Sequence, residues 1–272
     1  MPTKIFCTLG PSSLNKEFLN FSQKNVDLLR INMSHVEIRS LSKLVKKIRK
    51  QTKTPICIDT EGAQIRTKVK KRLFYKIKKK IKIFKKKGNF TLYPKTVFDQ
   101  LKVKDLLDIG FSGLKVKIIK KNNNEIIAKV IEPGMLEKNK GVHLKNRKIK
   151  IDFLTKKDFE AISLAKKLKI KNFALSFTNS VKDVEKFNKL LKKENKIFKL
   201  ETKSALNDIT NILKKGKNFL IDRGDLSKDI TIERIPLAQR KITKLGKKYK
   251  KNIYVATNFL ETMVNNFTPT RG

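Results

Sequence analysis

The stretch Lys196-Ile197-Phe198-Lys199-Leu200-Glu201 decides the fold. In an extended strand successive side chains face opposite ways, so Lys199 and Glu201 share a face while Phe198 and Leu200 take the other. On an exposed edge strand these charges would simply meet water, and lysine is abundant enough here to give that reading weight. A second apolar run, Phe219-Leu220-Ile221, argues against it, because it too ends in charge, at Arg223-Gly224-Asp225. Two such strands place carboxylates at one rim of a parallel sheet, which is where α/β enzymes keep their chemistry. At that rim Glu201 and Asp225 could hold a hard divalent cation such as Mg²⁺, which takes one or two protein carboxylates plus substrate oxygens. Lys199 beside them would face a phosphate or a developing oxyanion.

The flanking sequence extends the pattern in both directions. Lys4 to Leu9 reads as a short strand closed by Gly10-Pro11-Ser12-Ser13, a turn that then caps a helix. Val26 to Asn32 is a second strand, ending in polar Asn32, Ser34 and His35, and helix-period residues run from Ile38 to Ile48. Thr54 to Thr60 is a third strand. After a different middle segment the alternation resumes with helix Phe159 to Leu168, strand Phe173 to Phe177, helix Val181 to Glu194 and the deciding strand itself. Helix Ala205 to Lys214, strand Phe219 to Ile221, helix Ile235 to Tyr249 and strand Ile253 to Thr257 complete it. Seven parallel strands with right-handed crossovers predict a TIM-type (β/α)₈ barrel with seven of its eight units present.

The middle segment has another period. Lys80 to Phe84, Leu114 to Ile119 and Glu125 to Val130 alternate with period two, separated by Gly88, Gly110, Gly113 and Asn122-Asn123-Asn124. This predicts a small antiparallel β-barrel lid domain at 68–144, inserted into a catalytic barrel at 1–67 and 145–272.

With 272 residues there is room for a large core. The 66 Lys and Arg against 24 Asp and Glu give a net charge of +42, which raises the prospect of a polyanionic partner. The excess is spread along the chain, however, and runs such as Lys78-Lys79-Lys80 lack interleaved aromatics. General lysine enrichment accounts for this, so no specific nucleic-acid partner and no membrane partner is expected. Cys7 and Cys57 both lie in apolar runs and read as buried free thiols. Met1-Pro2-Thr3-Lys4 runs straight into a strand, and no apolar stretch approaches the roughly 20 residues a spanning helix needs, so a cytoplasmic location is expected.

The strand ends, taken together, resemble the pyruvate kinase family. The carrying motifs are Thr3 to Pro11, Leu29-Arg30-Ile31-Asn32-Met33-Ser34-His35, Asp59-Thr60-Glu61-Gly62-Ala63-Gln64-Ile65-Arg66-Thr67 and Lys140-Gly141-Val142. They continue with Leu175-Ser176-Phe177, Lys199-Leu200-Glu201, Arg223-Gly224-Asp225-Leu226, and Ala256 to Met263 with Pro269-Thr270-Arg271. They run in order along essentially the whole chain. The resemblance implies transfer of a phosphoryl group from phosphoenolpyruvate to ADP, giving pyruvate and ATP in glycolysis. It implies Glu201 and Asp225 as ligands of Mg²⁺ (or Mn²⁺), and Lys199 as the stabiliser of the transferring phosphoryl. Arg30 would grip the substrate phosphate, while Gly224 and Thr257 would contact the substrate near its carboxylate. Asn32, Ser34, Asp59 and Thr60 match the family's K⁺ site. Asn32, Ser34, His35, Arg66 and Lys140 match its nucleotide contacts. A homo-oligomer is compatible with the resemblance.

The departures from the family pattern are specific. Ala63-Gln64 replaces a Pro-Glu pair, Thr202 to Ala205 replaces a polar, glycine-bearing stretch, and Asp222 stands where a small residue is usual, one more acid near the site. The sequence ends at Gly272, before the family's eighth βα unit and C-terminal domain, which raises the expectation of an incomplete barrel. The alternative function is a non-catalytic or substrate-drifted relative that binds ligands for regulation.

Overall fold

The computed structural model describes residues 3–110, 113–257, 263 and 265–267; Asn258 to Thr262 and Pro269 to Arg271, two segments of the last motif, lie outside them. The chain forms two units, Met1–Gly62 with Phe153–Gly272, and Ala63–Asp152.

The first unit carries one parallel sheet. Its strands are β1 (Phe6–Thr8), β2 (Leu28–Asn32), β3 (Ile56–Asp59), β4 (Asn172–Leu175), β5 (Asn195–Leu200), β6 (Asn218–Asp222) and β7 (Asn252–Ala256). Their spatial order follows their sequence order, which helix-bearing crossovers between neighbouring parallel strands produce. Both faces of the sheet are covered, so β2 and β3 read as almost continuous apolar runs rather than alternating ones.

The outer face packs on helices whose apolar residues recur at helical spacing. Leu41, Val45 and Ile48 of the helix Ile38–Arg49 are buried, as are Ala161, Ile162 and Ala165 of Lys156–Lys167. Phe198, Leu200, Phe219 and Ile221 meet them from the strands. Phe198 lies 5.8 Å from Phe219 and 6.0 Å from Phe187, and removing such a buried ring costs about 3–5 kcal/mol. The inner face is a smaller cluster of Leu28, Cys57, Ala174, Ile197 and Leu220, joined by Phe6 and Tyr254. Phe6 on β1 and Tyr254 on β7 stack with ring centroids 4.3 Å apart, so the sheet curls until its two end strands touch through their side chains. Seven strands of a TIM-type barrel are therefore in place, as the alternation predicts.

Local details depart from the sequence expectations. The helix after β1 begins at Lys16 rather than at the Gly10 to Ser13 turn, because Asn15 Oδ1 accepts from the Phe18 amide and caps it. Arg223 to Asp229, read only as a strand end, forms a short helix.

The second unit is a closed barrel of seven strands. In spatial order these are Glu125–Glu132, Lys80–Phe84, Phe90–Tyr93, Ile65–Val69, Gly141–Leu144, Leu106–Ile109 and Leu114–Lys121. The expectation of a purely antiparallel domain is corrected at one place: Lys80–Phe84 and Phe90–Tyr93 run parallel at Phe84 opposite Thr91. The unit is wider on both sides than the expected 68–144. Ile65–Val69 pairs with Phe90–Tyr93 and Gly141–Leu144, and Ile149 and Ile151 pack on the same core, so both flanks fold with this unit.

Candidate active site

One layer above the inner apolar cluster the side chains turn polar on five neighbouring strands. Strand periodicity returns to the same face every second residue. Leu28, Cys57, Ala174, Ile197 and Leu220 are therefore followed on the inside by Arg30, Asp59, Ser176, Lys199 and Asp222. One further step along β5 gives Glu201. Arg30, Asp59, Ser176, Lys199 and Glu201 are all buried, which removes water from between their charges.

Lys199 is the hub. Its Nζ lies 2.8 Å from Glu201 Oε1, 3.5 Å from Asp222 Oδ2 and 3.6 Å from Asp59 Oδ2, and it donates to Ser176 Oγ at 3.3 Å. Ser176 Oγ in turn donates to Asp59 Oδ1 at 3.1 Å, and Arg30 Nη2 donates to Asp59 Oδ2 at 2.5 Å. Burial opposes the ammonium form of Lys199, but Asp59, Glu201 and Asp222 outweigh it and push the pKa up, so the side chain stays charged. Burial likewise opposes ionisation of Asp59, and the Arg30 and Lys199 charges override it and hold the carboxyl below its usual range. Asp222 follows the same logic, with Lys199 and the Thr257 hydroxyl overcoming its burial.

Glu201 behaves oppositely. Burial, together with Asp222 and Asp225, outweighs Lys199 and pushes its pKa up to about 8. Its Oε2 accepts from the Phe177 amide at 2.5 Å. Its Oε1 is buried and lies 2.8 Å from the Lys199 ammonium, the contact among the described residues that neutralises it. A buried carboxylate oxygen so placed suits a cation ligand. Glu201, Asp222 and Asp225 each offer an oxygen, and the three oxygens lie within 4.8 Å of one another, so an all-oxygen donor set suited to Mg²⁺ or Mn²⁺ is assembled.

The remaining expected residues sit around this centre. Thr257 Oγ1 donates to Asp222 Oδ1 at 2.5 Å, and its carbonyl accepts from Arg223 Nε and Nη2. Thr257 holds φ at 75° and Phe177 at 52°, two non-glycine residues in the left-handed region beside one site. Gly224 approaches Thr257 so closely that a Cβ would stand 2.7 Å from Thr257 Cγ2. Asn32 lies opposite Asp59 in the β2–β3 register, and its Oδ1 accepts from the Ser34 amide. Thr60 is buried and its Oγ1 accepts from the Ser176 amide. Asn32, Ser34, Asp59 and Thr60 thus gather at two adjacent strand ends, with Asp59 already engaged by Arg30, Lys199 and Ser176. His35 is exposed on the loop after β2, its amide bonded to the Asn32 carbonyl.

Arg66 and Lys140 belong to the second unit and are neighbours there. Arg66 lies opposite Gly141 in the strand register, and its Nη1 donates to the Asn139 carbonyl at 3.4 Å, while Lys140 Nζ pairs with Glu137 at 3.4 Å.

Ser176 enters the sequence reading only within a motif, and Asp222 only as one more acid near the site, without a partner. The missed signal was the period-two step from Ala174 and Leu220.

A model of the family described as "Pyruvate kinase, barrel domain" matches residues 1–272. Curated relatives carry the name pyruvate kinase. That of Thermotoga maritima is 32% identical over 298 residues, covering 99% of this chain and 61% of the relative. That of Clostridium perfringens is 30% identical, with 99% and 61% covered. That of Staphylococcus saprophyticus is 29% identical, with 99% and 49% covered. The chain thus spans between about half and three-fifths of the length of these relatives.

Proposed function

The chain belongs to the pyruvate kinase family, and from that premise we propose that it moves the phosphoryl group of phosphoenolpyruvate to ADP, giving pyruvate and ATP. The observation that carries this reading is the buried Lys199 ammonium facing the Glu201, Asp222 and Asp225 oxygens. Phosphoryl transfer asks a protein for little covalent chemistry. It asks for positioning and for neutralisation of the charge spread over the equatorial oxygens.

Lys199 meets the second demand with a compact point charge in a water-poor setting, where an electrostatic contact is worth more than at the surface. Arg30 adds a planar fork. One nitrogen of it is held by Asp59, which fixes its direction, and its buried Nε has no acceptor among the described residues, so the group retains donor capacity for a phosphate. Ser176 bridges Lys199 and Asp59, accepting from the one and donating to the other. Gly224 and the strained Thr257 form the wall against which the carboxylate end of the substrate is read. Held by Glu201 and Asp225, a divalent cation would supply Lewis-acid neutralisation of the phosphate oxygens. Asn32, Ser34, Asp59 and Thr60 offer oxygen donors for K⁺, and Asn32, Ser34, His35, Arg66 and Lys140 are the proposed nucleotide contacts.

The test is a lactate-dehydrogenase-coupled assay with phosphoenolpyruvate, ADP, Mg²⁺ and K⁺. Wild type should turn over, and Lys199→Met should lose at least about a hundredfold in rate, the scale of removing one preorganised charge-stabilising donor. Equal rates for the two proteins would refute the assignment. Binding of Mg²⁺ and phosphoenolpyruvate without product would favour the regulatory relative instead.

A further inference from the structure

Asp222 occupies a position that the family pattern fills with a small residue, yet here it completes the acidic side of the site. We propose that Asp222 is a third carboxylate ligand of the divalent cation site, so that the cation is bound before the phosphorylated substrate arrives. The inference rests on the proposed function only in taking the ion to be Mg²⁺ or Mn²⁺ on Glu201 and Asp225.

Three observations support it. The first is position. Asp222 ends β6 beside the end of β5, with Leu200 opposite Ile221, so the next residues in register are Glu201 and Asp222. Its oxygen joins those of Glu201 and Asp225 within 4.8 Å. The second is orientation. Thr257 Oγ1 donates to Asp222 Oδ1, which fixes the carboxylate and leaves Oδ2 3.5 Å from Lys199, a distance of charge attraction rather than of a close hydrogen bond. Beside it, Glu201 Oε1 is buried and faces the Lys199 ammonium at 2.8 Å. A divalent cation shared by the two carboxylates would add to that ammonium.

The third is charge. The cluster sets Arg30 and Lys199 against Asp59, Glu201, Asp222 and Asp225. With every group ionised it carries two net negative charges, which one divalent ion cancels. A small residue at 222 would leave one net negative charge, and the loaded site would then be positive and complementary to an anionic substrate. With Asp222 present the loaded site is neutral. The aspartate therefore strengthens cation binding by ligand charge and weakens the pull on phosphoenolpyruvate. Order of binding follows from that trade: the metal is held by the protein alone rather than recruited by substrate oxygens.

Mn²⁺ titration of the full chain, read by the loss of the free-ion electron paramagnetic resonance signal, tests this with and without phosphoenolpyruvate. Wild type should bind one Mn²⁺ without substrate. Asp222→Ala should weaken that binding tenfold or more, weaken it less when phosphoenolpyruvate is present, and bind phosphoenolpyruvate in the Mn²⁺-loaded protein more tightly. Asp222→Asn keeps the size and the acceptor for Thr257 and removes only the charge, so it carries the test if the alanine variant fails to fold. If both variants bind Mn²⁺ within twofold of wild type while Glu201→Gln abolishes binding, the role of Asp222 is refuted and the Glu201 site stands. If wild type binds no Mn²⁺ even with phosphoenolpyruvate, the cation site of the proposed function falls as well.

Discussion

Replacing Lys199 by Met keeps most of the side-chain stem and removes an ammonium that contacts Asp59, Glu201 and Asp222 together. Lys199 is only 5% exposed and Glu201 and Asp59 are 1% exposed, so water cannot take over its role. Removing one partner of such a buried group of charges costs about 3–5 kcal/mol. For a domain of this size each kcal/mol lowers Tm by about 2–4 °C, which puts the expected loss at roughly 6–20 °C. Two modulations identify the cause. Glu201 already tends towards its protonated form, so the loss should be smaller at pH 6 than at pH 8.5, where its carboxylate is bare. Mg²⁺ should raise the Tm of the variant more than that of wild type, because it restores positive charge at the same place. Thermal unfolding by circular dichroism at the two pH values, with EDTA and with Mg²⁺, measures all of this. A variant melting within 2 °C of wild type at pH 8.5 in EDTA would show that Lys199 does not neutralise these acids, and the account of the site would fail.

Other consequences are open to measurement. The raised Glu201 pKa, against about 4.3 unfolded, means that the folded chain keeps a proton between those values that the unfolded chain has lost. Stability of the metal-free protein relative to Glu201→Gln should therefore fall as pH rises from 5 to 8, by at most about 1.4 kcal/mol per pH unit, and thermal melts in EDTA would contradict this if the difference stayed flat. Burial pushes the Cys57 thiol far up, so iodoacetamide at pH 8 should leave it unmodified in the native protein and label it in denaturant, as read by peptide mass spectrometry. Gly62 holds φ at +67°, and a Cβ there would stand 2.3 Å from the Ser176 carbonyl oxygen. Gly62→Ala should cost at least about 1–3 kcal/mol in urea unfolding and disturb Ser176 with it; unchanged stability would disprove the close approach.

The sequence carried the order of elements well because each strand of the first unit announces itself twice, by an apolar run and by a polar end. Lys199 and Glu201 were legible together because they share a strand face. Asp222 was harder to place. The apolar run Phe219 to Ile221 stops one residue short of it, and only the pairing Ile221 opposite Val255 and Asp222 opposite Ala256 extends the strand to include it. The helix Arg223–Asp229 was hidden by Gly224 in its first turn, a residue of poor helix propensity. The domain boundary at Gly62 was hidden for a related reason: the polar run continuing β3 passes without a break into Ile65–Val69, which belongs to the other core. The seat of Ser176 between Lys199 and Asp59 depends on three strands at once, and no local signal encodes it.

The stacking of Phe6 on Tyr254 has a bearing on how the chain is made. Tyr254 follows Phe6 by roughly 250 residues, which at 5–20 residues per second is a wait of about 12–50 s. Throughout that interval Phe6 has no companion ring, and the nascent sheet can grow strand by strand but cannot join its ends. The ring contact between the two end strands thus forms only once Tyr254 has been made.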